Sequence, residues 1–315
     1  MAAVIPPASS RVAILLCTYQ GREFLPLQLD SIAAQTHQRW SVYASDDGSS
    51  DGTVEVLERY QRAWEPGRMS IVAGPRRGFV DNFLSLTCHP EIDADYFAYA
   101  DQDDIWEPEK LARALDRLQR AGASTPALYG SRTRLIDRDG HVVGQSPLFG
   151  RPPSFANALA HNIAGGNTMV FNRAARALLR RSTEAGCAPV TYDWWTYLLV
   201  SGAGGIVMYD PEPMVRYRQH AGNQVGARIG VSDRAGNVRE MLRGRVRGWS
   251  DVNLAALERV RDVLTPENLR TLDMFRDARR RSLVPRLVGL WRSGVRRQTA
   301  GGNAGLWLAA VLGRV

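Results

Sequence analysis

Through residues 11–130 the chain alternates two apolar patterns. Short, nearly continuous apolar runs (RVAILLC, WSVYAS, MSIVAG, DYFAYA) are each followed by a stretch in which apolar residues recur every three or four positions (FLPLQLDSIAAQ, TVEVLERYQR, FVDNFLSL, PEKLARALDRLQR). The first kind suits strands and the second suits amphipathic helices. Four such alternations predict βαβ units, hence a Rossmann-like α/β fold with a mostly parallel sheet and helices on both faces. In such a sheet ligands gather at the carboxyl ends of the strands. The polar sequences CTYQG, DDGSSDGT and DQDD fall at those ends, after the first, second and fourth strands.

Residues 126–225 are more mixed, with strands expected at PALYGS, NTMVFN and GIVMYD and a helix opening at YDWWTYLLV. From about residue 232 the pattern is helical and basic, interrupted by Pro266 and Pro285. There is no internal repeat and no low-complexity block. The weakly polar stretches at 197–209 and 305–313 fall short of the roughly 20 residues a spanning helix needs. The start, MAAVIPPASSR, has no basic segment leading into an apolar run, so no signal peptide is expected. At 315 residues, with 44% hydrophobic and 23% charged content, the chain can form one large domain or one domain with an appendage.

Charge sharpens this division. The net charge is +8, but residues 228–315 hold 18 Arg against 8 acids, which leaves −2 for residues 1–227. Lys110 is the single lysine among 40 basic residues, which points to a general preference for arginine and cautions against over-reading any one of them. Cys17, Cys88 and Cys187 are odd in number and far apart. They suit a reducing cytoplasm and packing roles better than a disulfide framework.

Two acidic motifs carry candidate chemistry. DDGSSDGT (46–53) reads either as a turn into a helix capped by Ser50 or Asp51, or as a site where Asp46 and Asp47 accept hydrogen bonds from a nucleotide's base or ribose. No GxGxxG follows the first strand and no GxxxxGK[ST] occurs anywhere, so dinucleotide and P-loop sites are poorly supported. In DQDD, alternate side chains of an extended segment share a face, so Asp101 and Asp103 point together and Asp104 points towards the following helix as its cap. Two hard carboxylates with open positions suit Mg²⁺ or Mn²⁺ shared with substrate phosphates.

VAILLCTYQGREFLPLQLDSIAAQT, SDDGSSDGT and YADQDDIWEPEKL resemble, in order and spacing, the successive signatures of family 2 glycosyltransferases with the GT-A fold, most closely bacterial rhamnosyltransferase-like enzymes of surface polysaccharide assembly. The likeness spans residues 11 to about 225. It implies a metal-dependent, inverting transfer of a sugar from a nucleotide-sugar donor to a glycan acceptor, commonly lipid-linked. dTDP-L-rhamnose is the implied donor, with a UDP-hexose the alternative. Carried over by position, Thr18, Tyr19, Asp46 and Asp47 hold the base and ribose, and Asn82 lines the nucleotide pocket. Asp101 and Asp103 are the outer members of the DXD motif, with Asp103 the direct metal ligand and Asp101 a ribose or metal-shell contact. Asp193 is the catalytic base. Gly165 and Gly166 let the acceptor approach the backbone, Trp194 and Trp195 stack on its sugars, and His220 is a third metal ligand or a diphosphate contact.

The expected organisation is a flexible segment at 1–10, a GT-A catalytic domain at 11–227 (nucleotide-sugar half 11–130, acceptor half 131–227), and a helical basic extension at 228–315. Between residues 276 and 315 nine arginines and one acid interleave with apolar residues. That pattern suits an anionic membrane surface, a packed basic face or an interface between copies of the chain. Nucleic-acid binding would use the same charge and is the alternative of another class, but the arginines come without a nucleic-acid-binding signature, so no nucleic-acid partner is expected. The expected location is cytoplasmic, peripheral on the inner face of the plasma membrane.

Overall fold

The computed structural model describes residues 9–220 and 245–315. Its first half is built from β1 (Val12–Thr18), α1 (Leu25–Ala33), β2 (Trp40–Asp46), α2 (Thr53–Ala63), β3 (Met69–Ala73), α3 (Phe79–Cys88), β4 (Tyr96–Ala100) and α4 (Lys110–Leu118), with a two-residue strand β5 (Ile105–Trp106) before α4. The second half adds β6 (Ala127–Ile136), β7 (Val142–Gln145), a short α5 (Phe155–Ala158), β8 (Val170–Asn172), α6 (Arg173–Glu184), α7 (Tyr192–Gly202) and β9 (Ile206–Arg218). Helices α8 (Arg245–Glu258), α9 (Pro266–Arg280), α10 (Leu283–Ser293) and α11 (Ala300–Val311) complete it.

All described strands join one sheet in the order β3-β2-β1-β4-β8-β6-β9-β5, with β7 against β6. β1 pairs in parallel with β2 and β4, and β2 with β3. Every residue of β1 is buried because both faces of the sheet are covered. Its side chains alternate between two cores. Ala13, Leu15 and Cys17 face α3, α6 and α7, whereas Val12, Ile14 and Leu16 face α1, α2 and α4. β8 runs antiparallel to β4 and β6, β9 is parallel to β6, and β5 is antiparallel to β9. Residues 101–104 therefore lead from the centre of the sheet to its far edge, across the ends of the intervening strands.

The C-terminal helices share the larger core. Leu257, Leu272, Phe275 and Leu290 are buried in the same cluster as Phe97, Phe171 and Trp195. The expected boundary at 227/228 lies outside the described residues. No described helix is long and apolar enough to cross a membrane.

Trp194 and Trp195, expected to stack on acceptor sugars, belong to this core instead. Trp195 is fully buried with its Nε1 donating to Ser182 Oγ at 3.0 Å, and Trp194 Nε1 donates to the Ala158 carbonyl at 2.6 Å. The first turns of α7 face inward between α5 and α6, and large aromatics with a satisfied polar edge fill that space. Trp195→Ala is accordingly expected to lower stability by about 3–5 kcal/mol in chemical denaturation. A variant of unchanged stability with weakened acceptor binding would restore the stacking role.

Candidate active site

The register of β1 and β2 sets Thr18 beside Asp46 at the carboxyl end of the sheet. Thr18 Oγ1 donates to Asp46 Oδ2 at 2.9 Å, and the same carboxylate accepts from the Gly48 and Ser49 amides and from Ser49 Oγ. Its four acceptor positions are thus taken by protein, and Asp46 braces the loop rather than meeting a nucleotide. Asp47 accepts from the Arg76 amide at 2.6 Å and the Gly78 amide at 2.8 Å, one bond per oxygen, so each oxygen keeps a second acceptor position. Arg76 takes a left-handed φ of 58°, which is uncommon for a residue with a side chain and marks a loop held tightly by its surroundings. Asn82 also departs from expectation. Only 1% exposed, it accepts from Ser45 Oγ and donates to the Ser45 carbonyl, so it fixes the end of β2 beneath the pocket. Tyr19 is 56% exposed on the β1 loop.

Gln102, the middle of DQDD, links this wall to the acidic floor. Its side-chain amide accepts from the Tyr19 amide at 2.8 Å and donates to the Tyr19 carbonyl at 2.9 Å, as a neighbouring strand would. A Cβ on Gly21 would lie 2.2 Å from Gln102 Oε1, so this clamp requires glycine there.

The floor gathers residues that are far apart in sequence. Tyr192, stacked on Phe83 with ring centroids 3.9 Å apart, brings its hydroxyl to 3.4 Å from Asp101 Oδ1. Asp193, in the first turn of α7, accepts from Asn162 Nδ2 at 2.9 Å, from the Gly166 amide at 3.2 Å and from the Trp194 amide at 2.7 Å. Gly166 is needed for packing as well as for that bond, because a Cβ there would lie 2.2 Å from Tyr192 Oη. Gly165 is exposed. On the other side, His220 Nε2 lies 2.8 Å from Asp103 Oδ2, and the His220 ring rests on Phe24. Residues 221–226, which follow His220, lie outside the described residues.

The family described as Glycosyl transferase family 2 matches residues 13–182, more than half of the chain. The chain belongs to this family. The dTDP-rhamnosyl transferase RfbG of Shigella flexneri is 28% identical over 228 residues, 68% of this chain and 74% of its own length. An uncharacterized glycosyltransferase of Haemophilus influenzae is 24% identical over 230 residues, covering 69% and 67%. Among solved structures, S. aureus TarS 1–349 in complex with UDP-GlcNAc matches with a TM-score of 0.53 at 14% identity, over 96% of this chain and 90% of that one. At that identity the likeness concerns the fold, which is GT-A. The chain is therefore a glycosyltransferase that takes a nucleotide-sugar donor, and the cluster of residues at the carboxyl ends of β1, β2 and β4 is its candidate active site.

Asp104 of this glycosyltransferase is not the cap expected of it. The short strand β5 intervenes before α4, whose N-cap is Glu109, without a side-chain cap bond. Asp104 is fully buried, accepting from Asn167 Nδ2 at 2.6 Å and from the Arg218 amide at 3.3 Å. Burial, followed by the nearby charges of Asp103 and Asp101, pushes its carboxyl well above the ordinary range. Lys110 is likewise fully buried, its Nζ 3.5 Å from the Trp106 ring centroid and without a hydrogen-bond partner among the described residues. Burial lowers its pKa to about 7 against the opposing pull of Asp104 and Asp101. Arginine bias in the sequence concealed this lysine. Its position in the first turn of the helix after DQDD was the available signal.

The donors present fit a hard divalent cation in part. Asp103 and His220 meet directly and supply an oxygen and a nitrogen. Asp101 does not converge with them as a third ligand; among the described residues the three potential ligands that do converge are Asp137, Asp139 and His141. That triad sits at the tip of the β6–β7 hairpin, where Asp137 Oδ1 accepts the Asp139 and His141 amides, a role in the turn. Asp101 turns towards Tyr192 instead. Two protein ligands completed by phosphate oxygens and water match the way Mg²⁺ and Mn²⁺ are held.

Burial raises Asp101 to about 7, helped by the charges of Asp103 and Asp193. An acid whose pKa is higher folded than unfolded destabilises the fold once it ionises, so the cost is absent below the unfolded value near 3.8 and complete above about 7. In metal-free buffer, Asp101→Asn is expected to stabilise the protein at pH 8 by roughly 1–3 kcal/mol. The gain should disappear as the pH approaches 4, and thermal unfolding across that range would show it. A gain that grows with falling pH would contradict the placement of Asp101 among like charges.

Proposed function

We propose that this enzyme transfers a rhamnosyl group, with inversion, from dTDP-L-rhamnose to a hydroxyl of a lipid-linked glycan at the inner face of the bacterial plasma membrane, in surface polysaccharide synthesis. The observation that carries the chemistry is one oriented carboxylate, Asp193, gathered with the Asp103–His220 pair at the acidic floor, where the charges of Asp103 and Asp193 both act on Asp101. The donor follows from similarity to the Shigella dTDP-rhamnosyl transferase across two thirds of the chain.

In this reading Tyr19 and Asp47 receive the nucleoside, Asp47 through the acceptor positions it keeps, while Thr18, buried and bonded to Asp46, braces the wall behind them. Asp103 and His220 hold Mg²⁺ or Mn²⁺, which when bound offsets charge on the diphosphate leaving group. Asp101 stands behind that pair as a contact for the donor or for the metal's water shell. Asp193 takes the proton of the acceptor hydroxyl as its oxygen attacks the anomeric carbon from the face opposite the diphosphate. The bond to the diphosphate breaks as the new glycosidic bond forms. Burial raises the pKa of Asp193 against the hydrogen bonds that lower it, and a base with a raised pKa accepts the proton more readily. Asn162 and the Gly166 and Trp194 amides fix its orientation. A hydrolase of the usual kind would need two carboxylates flanking the bond; here a single base serves one face.

Calorimetry with dTDP and UDP, with and without Mn²⁺, tests donor class and metal linkage together. Asp103→Ala is expected to abolish the Mn²⁺-dependent part of dTDP binding, and unchanged affinity in that variant would remove Asp103 from the metal site. Asp193→Asn is expected to bind the donor as the parent does but to transfer at a rate lower by about 10²–10⁴-fold. Near-parental turnover would rule out Asp193 as the base. Tighter metal-linked binding of UDP than of dTDP would replace the rhamnosyl donor with a UDP-hexose.

A further inference from the structure

Helices α10 and α11 bury one side against the enzyme and expose another that is also apolar. Leu290, Leu306, Ala309 and Ala310 face the core. On α10, Val284, Val288 and Trp291 recur at i, i+4 and i+7 and are 68%, 48% and 74% exposed; Trp307, Leu308 and Val311 are exposed on the adjoining α11. Arg286 fastens the two helices together by donating from Nη1 to the Ala310 carbonyl at 2.9 Å, so the face is formed before anything covers it. Surface helices ordinarily turn a polar side to water, and a contiguous exposed apolar face marks a binding surface.

Charge selects the occupant. Residues 279–315 contain eight arginines and no acid. Arg280 and Arg281, at the end of α9 where the chain turns into α10, and Arg292 on α10 are exposed. A second copy docked on the same face would set arginine against arginine with no acid from this segment between them. An anionic lipid surface supplies both requirements, an apolar layer for Trp291 and the valines and phosphate headgroups for the arginines.

We propose that the exposed face of α10 and α11 lies on anionic lipid, inserting Val284, Val288, Trp291, Trp307, Leu308 and Val311 to the depth of the acyl boundary. This deepens the reading of a lipid-linked acceptor and rests on it for its purpose, since it brings the enzyme to the bilayer that would carry that acceptor.

Flotation of the full chain with phosphatidylcholine vesicles, with and without phosphatidylglycerol, tests it. Expected are binding to the anionic vesicles alone, weakening with salt, and a loss of about tenfold or more for Val288→Glu/Trp291→Glu, since two large apolar insertions are removed. Both substituted residues are exposed, so the variant should melt with the parent and bind dTDP with Mn²⁺ unchanged. Failure to float, equal flotation with neutral vesicles, or parental flotation of the double variant would overturn the proposal. Light scattering that shows a dimer dissociated by the same two substitutions would assign the face to a second copy instead. The dTDP titration reports on the glycosyltransferase reading independently, so the two can fail separately.

Discussion

Repulsion among Asp101, Asp103, Asp104 and Asp193 is the constraint on which the rest of the site depends. Carboxylates brought together away from bulk water interact strongly, and each resists ionising beside the others. The chain meets this in a different way at each position. Asp104 is withdrawn completely and held by Asn167 and the Arg218 amide. Asp103 is set against His220, and the field of Lys110 acts on Asp104 and Asp101 from a buried position. The residual strain is carried by Asp101, whose pKa is raised to about 7. Such a cluster gives up stability when empty, a cost that a bound cation would relieve.

Containing that charge requires a stiff surround, and much of the conspicuous polarity at the strand ends supplies it. Asp46 is used up on Thr18, Gly48 and Ser49, Asn82 on Ser45, and Gln102 on the backbone of Tyr19. These bonds knit the loops after β1, β2 and β4 into one wall. The wall leaves Asp47 and Tyr19 available, and a site prepared in this way loses less entropy when a ligand settles into it.

The frame of the site was readable in the sequence because parallel strands covered on both faces leave continuous apolar runs, and the helices between them keep a helical period. DQDD stood out for the same reason, since charge at the end of a buried strand breaks that pattern. What escaped is mostly local geometry. A two-residue strand has no period to read, so Asp104 passed for a helix cap. The tryptophans of α7 were assigned by their chemistry, and the packing of α5 and α6 around them decides otherwise. The braces, Gln102 and Asn162, carry no compositional mark. Their roles depend on backbone groups and on a partner brought close only by the fold.

Lys110 has a consequence beyond the electrostatics of the cleft. It is the chain's one ε-amine and it is sealed beneath α4. A lysine-specific protease finds a single bond to cut in 315 residues, and that bond is reached only when the first turn of α4 comes away from the sheet. Acylating reagents meet the same barrier, so the side chain is a built-in reporter of local opening at the acidic floor. The arginines that crowd the rest of the molecule add no competing ε-amine.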